Sequence, residues 1–69
     1  YMYKTLFNSM TTLLAMWFNP IHRSSYYEKA LRNRFGHFAS HPDFEDALRD
    51  ALAFLPIIDN DYANMQNEQ

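Results

Sequence analysis

Residues 40–55 read SHPDFEDALRDALAFL, and the spacing of their apolar side chains decides the fold. Phe44, Ala47, Leu48, Ala51, Leu52 and Leu55 recur three and four residues apart, which gathers them on one face of a 3.6-residue helix. Ser40 or His41 opens the segment. With Ser40 as N-cap, Pro42 falls in the first turn, where its missing N–H would have gone unpaired, and Asp43 completes a shortened capping box. Asp43, Glu45 and Asp46 put negative charge beside the free amides of that turn. Glu45 and Arg49 stand one turn apart on the wet side and are expected to pair. Pro56 pushes the residue before it away from helical dihedrals, so the helix is expected to stop near Phe54 or Leu55. Ala47 and Ala51 leave room for a second helix to come close, which makes this an inward-facing helix.

The flanking segments are read against this one. Asn19–Pro20 closes whatever precedes it. Ser25 with Glu28 three residues later forms a capping box, and Tyr27, Ala30, Leu31, Arg34 and Phe35 run down one side behind it. A turn at 20–23 therefore feeds a helix at about 25–35. Gly36 stands where helices commonly leave in the left-handed conformation, and Phe38 is expected to fold back on the helix end. In residues 3–18, Leu6, Met10, Leu13, Leu14 and Trp17 keep helical spacing, while Phe7, Met16 and Phe18 widen the apolar arc. Thr5, Thr11 and Thr12 would suit a strand, but the apolar order does not alternate with period two. After Pro56, Ile57 and Ile58 add a last apolar contact. Asp59 can cap a short turn through Tyr62 and Met65, and residues 66–69 read as a frayed polar tail.

These signals predict an all-α fold, a small three- or four-helix bundle with short connections, in one domain over residues 1–69. The helices are expected at about 4–18, 25–35 and 42–55, with a short fourth near 59–65. The chain begins at Tyr1 rather than Met, which reads as a fragment or processed product of a longer chain.

Composition bounds the function. A chain of 69 residues buries only about 60% of its extended surface. It has no cysteine to staple it and only three histidines. Six Phe, five Tyr and one Trp are more rings than so small a core needs. The surplus is expected at an interface, where such residues are enriched. The absence of cysteine fits a reducing, cytoplasmic setting. No apolar run is long enough to span a membrane, and the first helix lacks the basic face of a membrane-surface helix.

Charge is segregated. Residues 1–42 carry Lys4, Arg23, Lys29, Arg32 and Arg34 against Glu28, a balance of +4. Residues 43–69 carry Asp43, Glu45, Asp46, Asp50, Asp59, Asp61 and Glu68 against Arg49, a balance of −6, giving −2 in all. Either neighbouring helices complement each other, or the dipole orients a partner.

Catalytic patterns are weak. His22, His37 and His41 form no metal-binding run, and Gly36 and Pro42 put a turn between the last two. They are read as helix-end residues, with His41 near Asp43. Ser24, Ser25 and Ser40 serve as caps rather than nucleophiles. A single glycine excludes a glycine-rich phosphate loop. No catalytic residue, metal or cofactor is expected.

The sequence therefore points to protein–protein interaction without catalysis: a self-associating structural unit such as a dimer, or a small adaptor or inhibitor on a larger host protein. Tyr3, Phe7, Trp17, Phe18, Tyr26 and Tyr27 are the candidate interface anchors, with Tyr1 and Tyr62 as further rings. Arg32, Arg34, Asp46 and Asp50 are the candidate orienting charges. The alternative is a small nucleic-acid-associated regulator using the basic segment 22–34 through Arg23, Lys29, Arg32 and Arg34. Against it, the helix after Gly36 presents acid where a recognition helix needs phosphate contacts.

Overall fold

The apolar face of residues 44–52 lies at the centre of the molecule, in a computed structural model that describes residues 2–67. In chain order the helices are α1 (Tyr3–Trp17), α2 (Ser24–Arg34), a 3-10 turn (Gly36–Phe38), α3 (Phe44–Leu52) and α4 (Leu55–Asn67). The described residues contain no strand, so the fold is all-α as expected.

The core comprises Leu6, Met10 and Leu14 from α1, Tyr27 and Leu31 from α2, and Phe44, Ala47, Leu48 and Ala51 from α3. All are at most 2% exposed. Burying each large side chain contributes roughly 1.5–3 kcal/mol, so the α3 face holds α1 and α2 to one interior. Ala47 and Ala51 are fully covered, and α1 packs lengthwise on α3 over them. α2 also leans on α3, and its Tyr27 and Leu31 join the α1 residues in the same core. The threonines of α1 are accommodated by back-bonding: Thr11 Oγ1 donates to Phe7 O at 2.9 Å and Thr12 Oγ1 to Asn8 O at 2.8 Å.

Several local expectations are corrected. α3 starts at Phe44 after Asp43, not at Ser40–Pro42, and neither α2 nor α3 has a side-chain N-cap bond. Asp43 N donates to His41 Nδ1 at 3.1 Å, and Asp43 Oδ2 accepts from Tyr3 N at 3.1 Å, so that carboxylate serves the start of α1. The Ser25–Glu28 box does not form, because Glu28 turns to Arg32 Nε at 3.1 Å. Glu45 does not pair with Arg49. It takes Arg32 in a two-pronged contact at 2.8 and 3.0 Å, while Arg49 reaches Asp46 and Asp50. Gly36 has no positive φ and opens the 3-10 turn instead.

α3 ends three residues early, at Leu52. Phe54 N donates to Ala51 O at 3.0 Å, tightening the exit, and Phe54 O then receives Ile57 N and Ile58 N. Pro56 thus sits in the first turn of a new helix, where no donor is needed. α4 is longer than expected. Asp59 lies inside it rather than capping it, and Gln66 and Asn67 continue it, while residues 68 and 69 and Tyr1 lie outside the described residues. α4 packs on α1 through Leu55, Ile58 and the Tyr62–Phe18 rings, 5.4 Å apart, and buries none of its residues fully. The molecule measures 43 × 21 × 15 Å.

Candidate docking surface

A shallow seam runs between α1 and α2, marked by two open hollows. One end is a hollow of about 420 Å³ between Asn8, Ser9, Thr12 and Leu13 on α1 and Arg34 and Phe35 beyond. The other is a hollow of about 480 Å³ lined by Trp17, Tyr26, Ala30, Asn33 and Arg34. Arg34 borders both. Tyr26, Ala30 and Asn33 are four and three residues apart on α2 and so share a face, and Lys29 edges the same face. Ala30 is the smallest side chain lining the hollow that Trp17 and Tyr26 share.

A second groove, about 430 Å³, lies between the start of α2 and the α3–α4 turn. Phe18, Pro20, His22, Tyr27, Leu52, Leu55 and Pro56 line it, with Ser24 and Asp59 among its polar groups. A run of rings passes beside it: Tyr62 to Phe18, Phe18 stacked on Tyr27 at 6.1 Å, Tyr27 edge-on to Tyr26 at 5.4 Å, and Tyr26 stacked on His22 at 3.9 Å. His22 Nδ1 is buried without a hydrogen-bond partner.

The structure sorts the candidate anchors into three places. Tyr3 and Phe7 stack at 5.9 Å, and Phe7 meets Phe54 edge-on at 5.8 Å, on the opposite part of α1 from Trp17. Trp17 and Tyr26 face the seam, with Tyr26 51% exposed. Phe18 is half-buried in the second groove. Tyr27, at 1% exposure, has its ring in the interior, at the edge of the second groove. Exposed Ile21 and Met16, at 80% and 73%, are not among the anchors expected from the sequence, and neither are Ala30 and Asn33.

The charges divide similarly. Arg32 is engaged by Glu45 and Glu28, whose hydrogen bonds raise its pKa further, and Arg32 in turn holds the Glu45 carboxyl below its usual range. Asp46 and Asp50 are engaged by Arg49, and Asp50 also accepts a short hydrogen bond from the Tyr3 hydroxyl. Arg23, Lys29 and Arg34 are exposed and make no ion pair among the described residues. Internal pairing thus leaves three uncommitted cations on the α2 side, besides Lys4 on α1.

The histidines have different neighbours. His22 lies on Tyr26, His37 beside Phe38, and His41 near Asp43, with Nδ1 4.0 Å from its carboxylate. His41 Nδ1 accepts the Asp43 amide. Among the described residues no three His, Cys, Asp or Glu side chains gather to hold a metal ion, and no helix is long and apolar enough to cross a membrane. Comparison of the chain with protein-family models, curated proteins and solved structures finds no match.

Proposed function

We propose that this chain is a non-enzymatic protein–protein docking module that receives a segment of another protein in the α1–α2 seam. The observation that carries this reading is the open hollow lined by Trp17, Tyr26 and Ala30. Rigid rings beside a small residue give a partner side chain apolar area at little cost in ordering. Arg34, without an ion pair among the described residues, is the charge best placed to orient the partner; Arg32 and Asp50 are occupied between helices and Asp46 within α3. Docking of this kind suits an adaptor or inhibitor, and needs no catalytic group, cofactor or metal.

Site-specific photo-crosslinking tests it. A photoreactive residue at Asn33, in the seam, is expected to trap a protein that the same residue at Asn60, on α4, does not. Identical adducts from both positions would contradict the proposal.

The nucleic-acid reading keeps one supporting observation, the uncommitted Arg23, Lys29 and Arg34 beside exposed Tyr26. Three phosphate contacts to a single strand imply a salt slope of only about −2. Binding to oligothymidylate, lost between 50 and 200 mM salt by about tenfold or more, would favour it.

A further inference from the structure

We infer that the partner segment in the seam is an acidic amphipathic helix of two to three turns. This inference rests on the docking reading and names its occupant. From Asn8 to Trp17 the α1 wall rises about 14 Å at 1.5 Å per residue, the length of roughly two and a half helical turns. The seam offers apolar seats at both ends, Leu13 with Phe35 and Trp17 with Tyr26, which fits a helix carrying anchors a turn or two apart. Its rim is cationic and uncompensated. Among the described residues Lys29 and Arg34 pair with no carboxylate, and Glu28, the one acid of α2, faces Arg32. The α1 wall is neutral, with Asn8, Ser9 and Thr12. A phosphate backbone running along the seam would need cations on that wall too. Apolar seats with cations on one rim fit carboxylates on one side of a helix, and the charge pattern also sets its orientation.

Trp17 is the only tryptophan in the chain, so its emission reports on the seam directly. The intact chain is titrated with four probes: an eleven-residue acidic helical peptide with Leu at positions 4 and 8; the same peptide with every acid replaced by Lys; the acidic peptide with both Leu replaced by Ser; and oligothymidylate. The acidic amphipathic peptide is expected to shift Trp17 emission saturably and to bind at least about tenfold tighter than the other three. The double variant Lys29→Glu, Arg34→Glu is expected to lose that preference, and Tyr26→Ala to weaken binding, with helix content unchanged by circular dichroism. Equal response to acidic and basic peptides overturns the inference and leaves docking intact. Response to oligothymidylate alone overturns both it and the docking reading. A concentration-dependent shift without any probe seats a second copy in the seam and overturns the acidic partner. No response to any peptide overturns the inference, and the Asn33 crosslinking result then decides separately whether docking survives.

Discussion

The Tyr27 hydroxyl forms two hydrogen bonds with one residue: the Asn19 amide donates to it at 2.8 Å, and it donates to the Asn19 carbonyl at 3.0 Å. A core ring of α2 thereby clasps the turn that leads out of α1. Asn19 also accepts His22 N at its carbonyl and Ile21 N at its side chain, so the whole reversal is tied to one tyrosine. This clasp fixes where α2 begins, and hence how Tyr26 meets Trp17 across the seam.

Tyr27→Phe keeps the buried ring and removes both bonds. A destabilisation of about 1 kcal/mol is expected, since exposed Asn19 can turn to water. For a domain this small the midpoint of thermal unfolding should fall by about 4–8 °C. An unchanged midpoint would show that the clasp is idle.

Ala51 lies fully covered where α3 meets α1, so Ala51→Leu must push the two helices apart or leave its rotamer well. A loss of about 1–3 kcal/mol is expected in urea unfolding. Ala53→Leu, in the exposed turn after α3, should stay within about 0.5 kcal/mol of wild type. Equal costs at the two positions would contradict the packing described.

Gly36 is the reverse case. Its backbone is not in the left-handed region, and a methyl group there meets nothing within 4 Å. Gly36→Ala should therefore stabilise the fold by about 0.4–1 kcal/mol, chiefly by restricting the unfolded chain. Destabilisation would restore the left-handed helix exit that the sequence suggested.

Tyr3 and Asp50 link the first turn of α1 to the last turn of α3. The Tyr3 hydroxyl, through its hydrogen bond to Asp50 and through burial, is raised above its usual 10.0. Asp50 is held below its usual range by Tyr3 and then by Arg49. The Asp50 contribution is present above its unfolded value of about 3.9 and is lost as pH falls through the lower folded value. The Tyr3 contribution is present below about 10 and is lost as pH rises through its raised folded value. Urea midpoints followed across pH should show a plateau between these limits. Tyr3→Phe should reduce the alkaline loss and part of the acid loss, with the Glu45–Arg32 contact sustaining the rest. An unchanged alkaline limb in that variant would break the assignment.

Much of the fold was legible because burial follows period. Phe44, Ala47, Leu48 and Ala51 were read from spacing alone and lie at the centre, as do Leu6, Met10, Leu14 and Leu31. Caps and ends were less legible, since they turn on competition between partners. Glu28 had a cap at Ser25 within local reach and Arg32 one turn ahead, and it took the arginine. Glu45 likewise took a guanidinium from another helix over the one on its own. Pro56 was read as a stop, although the same missing donor suits a helix start once Phe54 O is free to accept. The seam itself was hidden, because it depends on how α1 and α2 each sit against α3. Its one sequence trace is Ala30, a small residue one turn from Tyr26.

Filling that position gives the most direct test of the central claim, that the α1–α2 seam is where a partner docks. Ala30→Arg places a long side chain beside Trp17 and Tyr26, and Ile57→Arg changes an exposed apolar site on α4, where Ile57 is 50% exposed. The measurement is the yield of the protein trapped from a photoreactive residue at Asn33, with helix content checked by circular dichroism. Ala30→Arg should abolish the adduct while the chain stays folded, and Ile57→Arg should leave it in full. An adduct that survives Ala30→Arg and disappears with Ile57→Arg would move the docking surface to α4 and contradict the account.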